Sequence, residues 1–416
     1  MKKKRFLYIL CLLLLFGIQG MYAQKPASYI EVKGKIIDEN SKDALVFADI
    51  VLKDTNISTI TNSDGEFVLK VPDSLTSKSI RFSHLGYQKK EMKISELLSN
   101  SKVTLKPALT ELTAIEIKTF KNAEALLKET LKNRSVYNSN GTLMTAFYRE
   151  TIKKRRRNAS LSEAVVQIHK QPYSNFKNDD IELIKARKST DYSRLDTLAV
   201  KLQGGPFSNL YTDIIKYPEF IFTNQEIPLY DFSFSESTQI NDKLVYVINF
   251  KQKPGVAQPM YYGKLYIDAE TLALTNAVYR LNVENRELSS QMYVRKKPRQ
   301  VDVYPTEATY RVNYRTQNGK WHYAYSNILL TFKVNWKGKL FNSTYTLNSE
   351  MAITDWSINN TKLAKVKDNL LKPTTILADE TSGFKDPAFW GEYNIIEPEK
   401  SIESAIEKIK KQLKRT

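Results

Sequence analysis

The sequence predicts a mainly β protein in which a small sandwich precedes a large antiparallel sheet with one or two packing helices. Three observations carry this. Between Tyr261 and Ile353, apolar residues alternate with polar ones, the period-2 signature of a sheet with one buried face. Asn318-Gly319 is a strong hairpin signal because both residues tolerate positive φ, and Lys337-Gly338 is a weaker one. Between Ile30 and Lys106, short apolar runs recur at regular spacing with turn residues between them, as in a small sandwich.

The 416 residues give room for two or three domains with a sizeable core. Tyr and Phe number 24 and 18 against 14 Gly and 14 Pro, which suits strands and argues against disorder. At the N-terminus, Lys2-Lys3-Lys4-Arg5 is followed by an apolar run from Phe6 to Ile18 and by Ala23 at a plausible cleavage point. This predicts a cleaved signal peptide over 1–23, with an uncleaved anchor as the alternative. The run is too short for a spanning helix of about 20 residues. Cys11, the one cysteine, lies too early for a lipid attachment site. The mature chain then has no thiol, which excludes cysteine nucleophiles, disulfides and cysteine-based metal sites, and suits a periplasm-like space.

The chain carries 63 Lys+Arg against 45 Asp+Glu, and loss of the four leader cations leaves 59 against 45, or +14. Such an excess attracts phosphate-bearing surfaces weakly. The excess reads first as a solvated basic surface, with an anionic membrane surface as the alternative, and export argues against nucleic acid.

Taken in order, Val32, Gly34 and Ile36 alternate in a first strand, and Ala48, Ile50 and Leu52 in a second. Asn62-Ser63-Asp64-Gly65 turns the chain into Phe67, Leu69 and Val71. Ile80 and Phe82, then Gly86-Tyr87, then Val103-Thr104-Leu105 complete the unit before Pro107. The series Val32-Lys33-Gly34-Lys35-Ile36, Ala48-Asp49-Ile50-Val51-Leu52, Thr61 to Phe67 and Ser83-His84-Leu85-Gly86-Tyr87 resembles the carboxypeptidase-regulatory-like domain, a transthyretin-like β-sandwich. That family occurs at the N-terminus of SusC-type TonB-dependent transporters and of other exported proteins. The resemblance implies a module spanning 25–107 with Gly34, Asp64, Gly65, Phe67, Gly86 and Tyr87 as structural markers. It implies no peptidase, because the family's zinc ligands lie elsewhere. Too little chain follows for a transporter barrel.

A linker strand and helix are expected over 108–140, with Ala123, Leu126, Leu127 and Leu131 on one helical face. Strands follow from Leu143 to Ile152 and from Leu161 to Lys170, separated by Lys153-Lys154-Arg155-Arg156-Arg157-Asn158. That basic run reads as a solvated hairpin tip whose charges oppose edge pairing, or as a contact for acidic lipid or polysaccharide. From Pro172 to Pro259 the signal is mixed. Tyr211, Tyr217, Phe220, Phe222, Tyr230 and Phe232 either pack a core or line a cleft. Lys243 to Phe250 is a strand. The layout of a sheet curling over a helix, with Gly263-Lys264-Leu265-Tyr266-Ile267-Asp268-Ala269-Glu270-Thr271, is similar to the half-barrel of periplasmic lipoprotein carriers and sigma-factor regulatory sensors, and assigns a half-barrel domain to 141–375.

The last stretch, 376–416, reads as an aromatic latch and a terminal helix. Thr381 to Ile396 resembles a closing phrase of exported proteins with the same N-terminal module. In it Asp386-Pro387 starts a turn, Phe389, Trp390 and Tyr393 anchor, and Gly391 allows an unusual backbone angle. A helix with Ile402, Ala405, Ile406, Ile409 and Leu413 on one face ends the chain.

No signature of chemistry accompanies this layout. His84, His169 and His322 form no i, i+4 metal pair and read as surface or satisfied histidines, and no Gly-x-Ser-x-Gly elbow nominates a serine. Asp179-Asp180, Asp231 and Asp302 are the carboxylates that a glycan-active hydrolase would need to bring together. The expectation is a non-catalytic exported binding or scaffold protein without cofactor. Its partner would be a hydrophobic ligand in a half-barrel cleft or an envelope protein, with Phe389, Trp390, Tyr393, Tyr211, Phe220 and Phe222 as candidate contacts. The alternatives are the hydrolase and a purely structural accessory of a TonB-dependent transporter.

Overall fold

The computed structural model describes residues 28–108, 120–155, 157–190, 202–240, 243–338, 342–358, 369–380 and 389–400. The expected leader, the linker strand at 112–118, Asp386, Pro387 and the terminal helix lie outside them.

The first unit contains β1 (Tyr29–Asp38), β2 (Asp49–Leu52), β3 (Ser58–Ile60), β4 (Glu66–Pro72), β5 (Ser79–Ser83), β6 (Lys90–Lys93), α1 (Ile94–Ser99) and β7 (Lys102–Leu105). They form two sheets, ordered β4-β1-β7 and β3-β2-β5-β6. The alternating residues read from the sequence meet between them: Val32, Ile36, Ala48, Ile50, Leu52, Phe67, Leu69, Val71, Ile80, Phe82, Val103 and Leu105 share one core. One pairing departs from a simple antiparallel series, because α1 carries the chain across so that β7 joins β1 in parallel. Gly34 is required by a close approach: a Cβ there would stand 2.5 Å from the Ser101 carbonyl oxygen and 2.7 Å from the Phe67 ring. Gly65 has φ +75°, and Asn62 closes the turn before it by accepting from the Asp64 and Glu66 amides at 2.9 Å each.

After α2 (Ala123–Lys132), capped by Asn122, comes a ten-stranded antiparallel sheet. Its strands are β8 (Thr142–Lys154), β9 (Arg157–Lys170), β10 (Asp180–Thr190), β11 (Tyr230–Ile240), β12 (Lys243–Gln252), β13 (Tyr261–Asp268), β14 (Leu274–Leu281), β15 (Val301–Gln317), β16 (Lys320–Trp336) and β17 (Ser343–Ile358). The order β10-β9-β8-β17-β16-β15-β14-β13-β12-β11 leaves the sheet open, not closed into a barrel. Two short helices interrupt it, α3 (Pro206–Leu210) and α4 (Arg286–Tyr293). Asn318 and Gly319 both take positive φ, +50° and +72°, at the β15–β16 turn, as expected.

The alternation expected from Trp321 to Val334 is broken by a bulge. Tyr323 and Tyr325 oppose the consecutive residues Tyr314 and Asn313, so Ala324 is the extra residue. Trp321 and Tyr323 therefore face one side of the sheet, and Tyr325 faces the other. A second bulge, between Ile353 and Asp355, does the same in β17.

The larger departure concerns burial. The expectation of one buried face holds for neither side of strands β8, β9, β16 and β17, which are covered on both. Their inner face packs α2 and residues 206–230, and their outer face packs the sandwich and residues 389–400. The β10 edge is closed by residues 369–371: Leu183 donates to the Asn369 carbonyl at 3.0 Å and Leu371 to that of Ile181 at 2.8 Å.

Candidate functional site

The inner face is filled by this chain's own residues. Phe207, Leu210, Ile214, Ile215, Ile221 and Phe222 lie in one cluster with Met144, Ala146 and Tyr148 of β8, Ala164 and Val166 of β9, and Leu126 and Leu127 of α2. The covering segment is pinned at two polar points. Asn209 donates to Ser326 Oγ at 3.0 Å and accepts from Ser349 Oγ at 2.8 Å, which fixes α3 over β16 and β17. Beside it, Lys170 of β9 lies 2.7 Å from Asp179 and 2.8 Å from Asp213, all three buried. Tyr173 and Tyr314 donate to Asp213 at 2.8 and 2.9 Å, and Tyr217 donates to Asp179 at 2.7 Å. Burial works against the Lys170 charge, but the two aspartates outweigh it and hold the ammonium above its usual pKa.

A third polar group on this face has no cation partner among the described residues. Glu150 accepts from Tyr148 Oη at 2.9 Å, and burial pushes its carboxyl up to about 7. The folded carboxyl thus binds a proton more tightly than the unfolded one, whose pKa is near 4.5. Stability should therefore fall as pH rises from 4.5 to 7, by about 3 kcal/mol at 1.36 kcal/mol per unit. Glu150→Gln is expected to remove that fall and to melt higher than the parent at pH 8. Denaturant midpoints across pH 4.5 to 8 check it; parallel curves for the two proteins would refute it.

The outer face is built around a ladder of charges. Arg187 of β10 opposes Glu163 of β9, Glu163 opposes Arg149 of β8, and Arg149 opposes Glu350 of β17. Alternate signs thus stand side by side across four strands. Arg149 lies 2.7 Å from Glu163 and 3.3 Å from Glu350, and Arg187 lies 2.7 Å from Glu163. Against this row runs the segment 389–400. Arg149 Nη2 donates to the Ile396 carbonyl at 2.7 Å, Trp390 meets Phe147 edge-on at 5.3 Å, and Arg187 lies 4.8 Å from the Trp390 ring.

The other side of the same segment is held by the sandwich. Thr59 donates to the Ile395 carbonyl at 2.8 Å, Asn394 accepts from the Lys70 amide at 2.7 Å, and the Lys70 ammonium reaches the Gly391 carbonyl. Direct contacts add to this staple. Arg315 of β15 bonds Asp49 at 2.8 Å and Ser58 Oγ at 2.9 Å, Ser58 donates to the Ile353 carbonyl at 3.0 Å, and Phe47 packs on Tyr325 at 5.3 Å.

The sandwich has a family. Residues 32–117 match the CarboxypepD_reg-like domain. No curated protein sequence matches the chain. Several solved structures align with it at low similarity. A LolA superfamily protein from Nitrosomonas europaea is 12% identical, covers 57% of this chain and 95% of its own, and has a TM-score of 0.23. A putative outer membrane lipoprotein-sorting protein domain from Vibrio parahaemolyticus is 12% identical, with 58% and 94% covered and a TM-score of 0.24. A DUF1329 family protein from Desulfovibrio piger is 12% identical, with 57% and 92% covered and a TM-score of 0.21.

Within the CarboxypepD_reg-like domain, Phe67 packs on Phe82 at 5.7 Å, Gly86 has φ +80°, and Tyr87 donates to Asp38 at 2.6 Å. The candidate contact residues divide between three places. Trp390 is buried and Phe389 and Tyr393 half-buried in the staple, where Gly391 has φ +54°. Phe222 is buried against Phe250 at 5.1 Å. Tyr211 and Phe220 stack at 4.8 Å on the rim of the inner face, and Phe220 is 50% exposed.

The four carboxylates of the hydrolase alternative stand in separate settings. Asp179 is held by Lys170, and Asp180 is exposed at the start of β10. Asp231 lies on edge strand β11, and Asp302 on β15 pairs with Lys297 at 3.3 Å. Among the described residues, no group of three or more His, Cys, Asp or Glu could hold a metal ion. His322, expected at the surface or satisfied, is buried on Trp356 at 5.0 Å, and burial with Arg315 pushes it down to about 4; its Nδ1 has no hydrogen-bond partner among the described residues.

The charge ladder is what sequence reasoning missed. Its four members are 14, 24 and 201 residues apart in contact. Only the register of four strands brings them together. No local signal marks it, because Arg149 is followed by Glu150 and Arg187 stands between Lys185 and Lys188.

Proposed function

We propose that the chain is a non-catalytic binding or scaffold protein of the bacterial envelope. Its work is to hold the CarboxypepD_reg-like domain in a set position on a rigid sheet and to present that assembly to another envelope component. The observation that carries this reading is the staple. A segment that buries Trp390, Asn394 and Ile396 and is clamped by Arg149 on one side and by Thr59, Asn62 and Lys70 on the other is what a fixed platform requires. A mobile tether would need none of it. The scattered carboxylates support a role without hydrolysis.

A second reading, in which the sheet holds a lipid or acyl ligand, is favoured by the apolar inner face and by the Tyr211–Phe220 pair on its rim. Entry of such a ligand requires residues 206–222 to lift from Lys170 and Ser326. Native mass spectrometry of the protein purified from its own envelope without detergent separates the two. The platform reading expects a bare chain or one bound to another protein. A retained acyl mass would overturn it in favour of the carrier.

A further inference from the structure

We propose that one end of the large sheet docks on an anionic lipid bilayer, a proposal that rests on the envelope location argued above. Three basic runs distant in sequence converge there. Lys153, Lys154, Arg155 and Arg157 flank the β8–β9 tip, Arg295 to Arg299 lead into β15, and Lys333 and Lys337 lie at the end of β16. Backbone pairing places them together. Arg155 donates to the Thr344 carbonyl at 2.8 Å, Lys154 opposes Tyr345, Val301 opposes Trp336, and Lys337 donates to the Gln300 carbonyl at 2.9 Å.

Arg155, Arg295, Lys296, Arg299, Lys333 and Lys337 are all exposed. The nearby carboxylates are fewer and partly engaged. Asp302 pairs with Lys297 at 3.3 Å, Glu399 with Lys153 at 3.7 Å, and Glu307 accepts from Thr309 at 3.2 Å. A cluster of more than four cations at one pole is the composition that anionic headgroups attract.

Two features favour a bilayer over a soluble polyanion. Met292 on α4 is 50% exposed beside the Arg295 run, so an apolar side chain accompanies the charge. Between α4 and β15 lies a cleft of about 390 Å³, lined by Arg286, Ser290, Gln291, Lys297 and Tyr304 together with the carboxylates Glu287 and Asp302. Its Arg286 guanidinium rests 4.6 Å from the Tyr304 ring, which adds a stacked cation beside the Arg295 run.

Co-sedimentation with vesicles tests this, using phosphatidylcholine alone and phosphatidylcholine with phosphatidylglycerol at three to one. The intact protein is expected to bind the second and not the first, and to be released by 0.5 M NaCl. Each cation near such a surface strengthens partition about fivefold, so neutralising three costs about a hundredfold. The triple variant Arg295→Gln, Lys296→Gln, Arg299→Gln is expected to show that loss. The double variant Lys333→Gln, Lys337→Gln, on a separate strand, is expected to lose about 25-fold. Lys102→Gln with Lys106→Gln, exposed on the sandwich, should bind as the parent does.

Equal binding to both vesicles would overturn the proposal, as would an equal loss in the sandwich control, which would reduce the effect to net charge. Binding to heparin but not to vesicles, weakened by the same variants, would make the partner a polysaccharide and overturn the bilayer assignment. Failure here with a bare or protein-bound chain in native mass spectrometry would leave the platform reading standing.

Discussion

Arg149→Ala is expected to destabilise the protein by about 3–5 kcal/mol and to release the segment 389–400 from the sheet. Arg149 is 1% exposed and joins both neighbouring glutamates to the Ile396 carbonyl. Its removal leaves Glu350 buried without a cation and the carbonyl without a donor. Glu163 keeps Arg187, so the damage falls on the side facing β17 and the staple. Burial already holds Glu350 above its usual pKa despite Arg149, which shows how little margin that carboxylate has.

Glu163 behaves in the opposite way. Burial works against its charge, but Arg149 and Arg187 outweigh it and hold the carboxyl below its usual value of 4.5. A depressed folded pKa contributes stability that is complete above 4.5 and is lost as pH falls through the folded value. Urea unfolding at pH 7 measures the loss in Arg149→Ala, and limited proteolysis between 389 and 400 reads the release. A midpoint within error of the parent, with the segment still protected, would sink the clamp. As a comparison, the double variant Arg149→Met, Glu350→Leu should recover part of the loss, since it removes both buried charges at once.

The second large effect is expected at the inner face. Lys170→Ala leaves Asp179 and Asp213 buried together without their shared cation, and should again cost about 3–5 kcal/mol. The pair joins the sheet to the covering segment, because Asp213 belongs to the turn after α3 while Lys170 ends β9. Amide exchange across residues 206–222 should therefore accelerate more than exchange in β12 or β13. Uniform acceleration would mean that Lys170 supports the whole fold and does not pin the cover. The folded pKa of Lys170 lies above its usual 10.5, so its contribution is complete below pH 10.5 and is lost as pH climbs through the folded value.

Strand faces in the N-terminal unit were legible because the core-facing residues of each strand are apolar and no bulge interrupts the pairing, even where the opposite face is covered as well. Val32 and Ile36, or Phe67, Leu69 and Val71, repeat with a period that nothing interrupts. The Asn318-Gly319 turn was legible because positive φ selects its residues locally, and α2 because Ala123, Leu126 and Leu127 recur at helical spacing. The stretch from Pro172 to Ile240 was not, although the strand that follows from Lys243 was. It mixes two edge strands, β10 and β11, with single turns of helix whose aromatic residues pack onto a distant surface, so no one period runs through it. The bulge at Ala324 hid the outer face in the same way, since it reverses alternation in the middle of an otherwise regular strand.

Taken by itself, the sequence determined the β class, the sandwich with its family, the principal hairpins and the aromatic character of the closing segment. All of these follow from patterns within about ten residues, where backbone geometry and side-chain period act directly. Only the tertiary structure decided that both faces of the central strands are covered, that the inner face is filled by the chain itself, and that a basic pole and a buried charge ladder exist. These depend on strand register and on docking between segments up to 336 residues apart. Such contacts are settled by which surfaces exclude water together, and no local pattern encodes that pairing.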